Sequence, residues 1–347
     1  MKQIKKMLAV LLVLVLMLAM TSCSGSVGKW IARSANTEVP VGAYLMYESV
    51  YYQYATYYVS DYTKSPLKQD ITTGEGDEKE TLTGAEWIKK QTMDIITNAI
   101  TVYEECNRLG ITLTDAEKDI VLDDAATMWE QNSAAYKQVG VGQKSLEYMY
   151  EYNELYTKLF DSIYGEKGTT PVKNDELKKY VTENYDSVHY FSVSLKDSNS
   201  KALSKEEQNK IEDELEALGE KLNSGEKFEK IVAEYNKAHE KATVTASHKI
   251  GVMEDQFASD LYKKLDKCEP GTAVVVEYSD YMYLLYREKI EDAVDEYLED
   301  NADTIRHEMK DEEYTKYLEE AEKKLSIEIN DAAVEKYSPK WIENRAG

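Results

Sequence analysis

Residues 188–193 read Val188-His189-Tyr190-Phe191-Ser192-Val193, and the stretch they open, as far as Glu288, decides the fold. The hexapeptide is rich in β-branched and aromatic side chains, which suit a pleated, half-buried surface, so a short strand is expected. Ser204-Lys205-Glu206-Glu207 has the S-x-x-E form of a helix N-terminus, in which the Ser and Glu side chains satisfy each other's backbone N–H groups. Phe228 comes next, then Met253 and Phe257, four residues apart. Glu269-Pro270-Gly271 is a turn signal, and the apolar runs 273–278 and 281–287 read as two closing strands. A strand, helices, a turn and two strands describe a small α/β module.

Upstream, the chain begins with Lys2, Lys5 and Lys6, an uncharged apolar run over residues 7–20, and then Thr21-Ser22-Cys23. A basic start, a short apolar core and small residues before a cut describe a secretory signal over residues 1–22. The run falls short of the ~20 apolar residues that a comfortable membrane span takes. A Cys after two small residues resembles the lipobox of bacterial lipoproteins, with Met20 where Leu is more usual. That resemblance implies that Cys23 becomes the first mature residue, carries lipid, and anchors the chain on the extracytoplasmic face of the cell membrane. An ordinary cleaved signal followed by a chance Cys is the other reading. Residues 23–38, opening Cys23-Ser24-Gly25-Ser26, read as a flexible tether.

Removing residues 1–22 takes away three lysines and no acid, so the formal charge of −23 becomes −26. Phosphate backbones and anionic headgroups repel such a chain, which argues against nucleic acid as a partner. The acidity fits plain solubility and also a mild attraction for basic clients. Beyond Cys23 only Cys106 and Cys268 remain; they are free to pair in an oxidising compartment, though Cys106 falls on a helical face. His189, His239, His248 and His307 show no HxxxH or HxH spacing and no CxxC accompanies them, so no metal site is expected.

Strong helical signals flank the α/β module. Thr83-Gly84-Ala85-Glu86 and Thr114-Asp115-Ala116-Glu117 are capping boxes. The first opens a helix carrying Ile88, Ile95, Ala99, Val102, Cys106 and Leu109 and stopping at Gly110. A third helical pattern covers 143–164, and residues 292–325 read as one long charged helix with Val294, Leu298, Ile305, Met309, Leu318 and Leu325 on its apolar side. Residues 64–81 and 165–171 are polar, with Gly and Pro, and read as a loop and a linker.

The phrase Asn107-Arg108-Leu109-Gly110-Ile111-Thr112-Leu113-Thr114-Asp115-Ala116-Glu117 resembles the N-terminal helical domain of SurA- and PrsA-type extracytoplasmic foldases, where a helix ends at Leu-Gly-Ile and restarts at a Thr-Asp-x-Glu cap. Pro171-Val172-Lys173-Asn174-Asp175-Glu176-Leu177-Lys178-Lys179-Tyr180 resembles the family's lead-in to its isomerase domain, and 188–288 resembles a parvulin-type peptidyl-prolyl isomerase. The likeness covers about 40–330. It implies an α+β protein: a helical lobe over 39–170, a parvulin-like domain with its lead-in over 171–290, and a C-terminal helix over 291–347 returning to the lobe.

Proline isomerisation needs no nucleophile, metal or cofactor, because its barrier of ~18–20 kcal/mol is rotation about a partial double bond. A site accelerates it by gripping the ring and favouring the twisted amide. In parvulins, Met and Phe wall the ring while two His and a Cys or Asp form a hydrogen-bonded cluster. The resemblance carries Met253 and Phe257 onto the ring pocket and His189 onto the first His. A core histidine is an equal reading of His189. The second His is replaced by Tyr283, or by Met282 one step out of register. The Cys/Asp position falls near Lys237-Ala238, and the usual Gly-Gly before Ile250-Gly251 is replaced by Ser247-His248-Lys249. The pocket is thus better kept than the polar machinery.

Tyrosine supplies 28 of 347 residues, concentrated over 44–62, where Tyr44, Tyr47, Tyr51, Tyr54 and Tyr58 step by three and four along one helical face. Such a stripe is the ordinary pattern of a core face, which leaves the off-stripe Tyr52, Tyr57 and Tyr62 as candidates for contact with unfolded chains. Three functions remain: a lipid-anchored folding factor with weak or lost isomerase activity, an active parvulin-type isomerase, and an unrelated solute-binding or adhesive lipoprotein. The last lacks the αβ alternation of a solute-binding protein.

Overall fold

The computed structural model describes residues 29–74, 79–240 and 242–346. The signal, Cys23 and the start of the tether lie outside the described residues. The chain divides into two compact units, one made of residues up to Ile163 with those from Glu312 onward, the other of Tyr164–Asp311.

The first unit opens with β1 (Trp30–Arg33), β2 (Glu38–Pro40) and α1 (Val41–Tyr58). Residues 23–38, expected to be tether throughout, are therefore ordered strand from Trp30, because Ile31 and Ala32 are fully buried. A hairpin of β3 (Asp70–Thr73) and β4 (Glu80–Thr83) follows, where residues 64–81 were expected to form a loop. Ile71 anchors it, packing with Ala55, Val59, Leu67, Trp87 and Ile88. The helices α2 (Gly84–Leu109), α3 (Asp115–Val139) and α4 (Gln143–Tyr164) come next. Both expected capping boxes are present at Thr83 and Thr114, and α2 stops at Gly110, whose φ of 73° is the left-handed conformation that glycine adopts without strain.

The second unit contains α5 (Asn174–Asn184), β5 (Asp186–Ser194), α6 (Lys205–Asn223), α7 (Phe228–Ala238) and β6 (Ser247–Gly251). The short α8 (Met253–Gln256) and α9 (Ser259–Leu265) lead to β7 (Thr272–Tyr278) and β8 (Tyr281–Glu288). Its four strands form an antiparallel sheet in the order β6-β5-β8-β7. The long α10 (Ile290–Glu322) starts in this unit and ends in the first. After it come β9 (Glu328–Ile329), which pairs with β1, then α11 (Asp331–Lys336) and α12 (Pro339–Ala346).

The early turns of α10 belong to the second unit, although all of 291–347 was expected to accompany the helical lobe. Lys178 on α5 pairs with Asp295 at 2.6 Å, the Tyr185 and Tyr297 rings meet edge to face at 5.9 Å, and the Tyr185 hydroxyl donates to Glu308 at 2.5 Å. From Glu312 onward the helix belongs to the first unit. There the fully buried Tyr314 ring packs on Tyr156 and Phe160 at 4.9 and 5.2 Å, and its hydroxyl donates to the Tyr156 carbonyl at 3.0 Å. Burying each such large apolar side chain is worth about 1.5–3 kcal/mol. No helix among the described residues is long and apolar enough to cross a membrane. Cys106 and Cys268 are both buried free thiols.

Candidate functional site

Alternation along β5 sends successive side chains to opposite faces of the four-stranded sheet. Ser187, His189, Phe191 and Val193 share the face covered by α6 and α7. There Phe191 and Val193 pack with Leu215, Leu218, Phe228, Ile231 and Tyr235. Val188 and Tyr190 occupy the other face with Met253, Phe257, Leu261 and Leu265. The ladder carries this parity onto β8. His189 opposes Tyr286 and Phe191 opposes Leu284, whereas Tyr190 opposes Leu285 and Ser192 opposes Tyr283.

The four residues expected to form one isomerase site are thereby split. Met253, Phe257 and Tyr283 lie on one face and His189 lies on the other. Of the three that remain together, Met253 is 2% exposed and serves as the floor of a hydrophobic cluster. Phe257 is partly buried; its ring meets Tyr190 edge to face at 5.3 Å, and the Lys249 ammonium sits 5.4 Å from its centroid. Tyr283 lies beside Tyr281, ring centroids 6.3 Å apart, and burial, followed by the neighbouring Tyr190, raises its phenol above the ordinary value. With Tyr262 and Tyr278 these rings form a half-open aromatic surface on the sheet. A surface of that kind can hold an apolar or proline-bearing segment by ring contact, with phenol hydroxyls left to meet backbone groups.

On the opposite face stands a polar cluster that the sequence spacing did not disclose. β6 went unrecognised as a strand, yet it pairs with β5 in a register that sets His248 directly across from His189. The two imidazoles stack at 3.8 Å and 7°, and Phe228 lies 5.3 Å from His189. Ser187, fully buried, donates its hydroxyl proton to Glu288 Oε2 at 2.6 Å and has its Oγ 2.8 Å from His248 Nε2. Glu288 Oε2 is 3.3 Å from His189 Nε2 and 3.7 Å from His248 Nε2. The hydrogen bond with His189 is the largest influence holding the Glu288 carboxyl below its usual value. Burial, then the adjacent His189, pushes the His248 imidazole down. The expectation that the histidines form no constellation is corrected: residues far apart in sequence meet because β5, β6 and β8 are adjacent. A strand assigned to 247–251 would have found it. The expected Cys/Asp position fares no better than His189, since Ala238 ends α7, which packs on this same face.

The tyrosine stripe on α1 divides along its length. Tyr44 and Tyr47 are buried, with Tyr44 donating to Glu48 Oε1 at 2.9 Å and burial pushing the Glu48 carboxyl up to about 8. Tyr54 and Tyr58, on the same stripe, are exposed, as are the off-stripe Tyr57 and Tyr62 at 76% each. Tyr52 and Tyr62 line one cleft of about 310 Å³ with Thr56, Val59, Lys64 and Pro66. Tyr57 is not among its lining residues.

No protein-family model matches the chain, and no curated protein matches it. Solved structures do. Foldase protein PrsA from Lactococcus lactis is 14% identical, with 90% of this chain and 99% of that chain covered and a TM-score of 0.36. PrsA from Bacillus subtilis is 17% identical over 80% and 93%, with a TM-score of 0.25. The peptidylprolyl isomerase PrsA from Bacillus cereus is 15% identical over 74% and 90%, with a TM-score of 0.28. The chemistry of the site is read from the residues alone.

Proposed function

We propose that the protein is an extracytoplasmic folding factor, anchored through lipid on Cys23, that holds unfolded secreted chains and has weak or no proline-isomerase activity. The observation that carries this reading is the split of the expected site. The residues suited to gripping a proline ring lie on one face of the sheet and the family-matched His189 lies on the other, so no imidazole stands beside a ring held at Phe257. Ring contact without a polar cluster supports binding more than rotation of the amide, because rate enhancement requires groups that favour the twisted form over both planar ones. Tyr52 and Tyr62 in the α1 cleft, with the exposed Tyr57 nearby in sequence, supply a second aromatic surface for client segments. The formal charge of −26 left once residues 1–22 are removed favours basic clients.

The test pairs two assays on one preparation: suppression of aggregation of an unfolded secreted protein, and isomerisation of a proline tetrapeptide. We expect aggregation to be suppressed and isomerisation to stay near the uncatalysed rate. Isomerisation as fast as that of an intact parvulin, and abolished by Phe257→Ala, would establish the enzyme reading instead. Cys23→Ser should move the protein from the membrane fraction to the soluble one, and its retention after a salt wash would place the anchor elsewhere.

A further inference from the structure

The cluster on the α6/α7 face is built like a cation site, which the function proposed above does not use. We propose that His189, His248 and Glu288 bind a divalent transition-metal ion, zinc in the first instance, on the sheet of the second unit. The three donor atoms all lie within 4.8 Å of one another. The Glu288 carboxylate oxygen is 3.3 and 3.7 Å from the two Nε2 atoms. Zinc bonds of about 2.0–2.2 Å at tetrahedral angles place neighbouring donors about 3.4 Å apart, so the carboxylate already stands at ligand spacing from both imidazoles.

The scaffold suits the task. The ligands come from three adjacent strands, and the ladder fixes their backbones through the pairs His189–His248 and Ser187–Glu288. Sites on paired strands hold geometry more tightly than sites on loops. Ser187 is the positioning residue. Its single hydroxyl proton goes to Glu288, so in the metal-free protein its contact with His248 is the imidazole N–H donating to Oγ. For Nε2 to face the ion, the neutral imidazole changes tautomer, its proton leaving Nε2 and one being taken up at Nδ1, while the Ser187–Glu288 hydrogen bond persists and keeps the carboxylate aimed, as outer partners of metal ligands commonly do. Phe228 and Phe191 close one side with apolar rings. The His248 side chain is 40% exposed, which gives an ion an entry path and leaves a coordination position for water.

The stacked rings impose one movement. The lone pairs of stacked imidazoles lie in parallel planes, so convergence on one ion requires a ring to turn about its terminal torsion, which is broad and soft in histidine. His248, the more exposed, is the ring free to do so. The donor set also selects the ion: two imidazoles and one carboxylate suit zinc and its neighbours, whereas calcium and magnesium favour all-oxygen shells.

The experiment uses the full-length chain, purified in detergent without a polyhistidine tag and stripped with chelator. Titration calorimetry with zinc chloride should give one ion per chain at micromolar affinity or tighter. Calcium and magnesium should give no heat at the same concentration. His248→Ala and Glu288→Gln should each weaken zinc at least tenfold, while His239→Ala, outside the cluster, should leave it unchanged. Because Glu288 is partly buried and its variant could fail to fold, histidine ring NMR of the wild-type chain supplies an independent reading. Zinc should shift the His189 and His248 ring signals and leave those of His239 and His307 in place. An absence of zinc binding, binding unaffected by His248→Ala, or shifts confined to other histidines would each overturn the site.

Discussion

The two faces of the second unit's sheet have opposite characters although the same strands make both. One carries Met253, Phe257, Tyr190 and Tyr283 and is aromatic and half open. The other carries His189, His248, Ser187 and Glu288 as a polar corner beside the apolar core under α6 and α7. Landmarks can keep their order along a chain while strand parity distributes them to different sides. A one-residue offset is enough, since it moves a side chain through the sheet. His189 and Tyr190 are neighbours in sequence and face opposite surroundings.

The largest effect tests the floor of the aromatic face. Met253 is 2% exposed among Val188, Leu261, Leu265, Val276 and Leu285. Met253→Ala should destabilise the second unit by about 2–5 kcal/mol, the usual cost of removing a long buried side chain and leaving a cavity. Chemical denaturation followed by hydrogen exchange of β5 and β8 would measure it. Unchanged stability together with lost peptide binding would show that Met253 lines an open pocket and that the aromatic face is a deeper site than the packing indicates. Phe257→Ala should act the other way round. Its ring is only partly buried, so stability should fall less, while affinity for a proline-containing peptide, read by fluorescence titration, should drop severalfold.

What was legible in the sequence was local. The capping boxes at Thr83, Thr114 and Ser204, the stop at Gly110 and the strands β5, β7 and β8 announce themselves through residues a few positions apart. Pairing register is not local. β6 is five residues of Ser, His, Lys, Ile and Gly with no alternation to betray it, and only its ladder with β5 brings His248 to His189. The hairpin of β3 and β4 was similarly hidden in a polar stretch, because a single buried Ile71 anchors it. The tyrosine stripe on α1 was legible as a face, but not the point at which that face leaves the core between Tyr47 and Tyr54.

Stability of the chelator-treated protein should fall at both ends of the pH scale. His248 is held below the ordinary imidazole value of 6.5 by burial and by His189, against the pull of Glu288, Glu296 and Glu229. The unfolded chain therefore binds more protons than the folded one as pH falls below about 6.5, and stability falls with it. Glu288, also lowered, extends the loss below the ordinary carboxylate value of 4.5. Tyr283 is raised, so its contribution is complete below the ordinary phenol value of 10.0 and is lost as pH rises beyond it. Unfolding midpoints across pH should thus decline at both ends. His248→Ala should lessen the acid arm, and Tyr283→Phe part of the alkaline arm, to which Tyr235 and Tyr286, also raised by burial, contribute from the other face. A variant that flattened the opposite arm would show that the faces are electrostatically joined.

The smallest expected effect is the most pointed. By family resemblance, Tyr283→His with Ala238→Asp would rebuild a parvulin cluster and restore isomerisation. The sheet argues against it. Tyr283 lies on the aromatic face with Met253 and Phe257, whereas Ala238 ends a helix whose Phe228, Ile231 and Tyr235 pack on the opposite face. The new carboxylate and imidazole would have the sheet between them, with His189 on the carboxylate's side. No hydrogen-bonded group of three could form, so the double variant should isomerise a proline tetrapeptide no faster than the wild type, within about twofold in a coupled assay, a difference of only about 0.4 kcal/mol in the barrier. A tenfold gain would require the substituted groups to reach a common peptide. That outcome would mean the β5–β8 register differs from the one described, because only a register shift of one residue brings His189 to the face of Phe257.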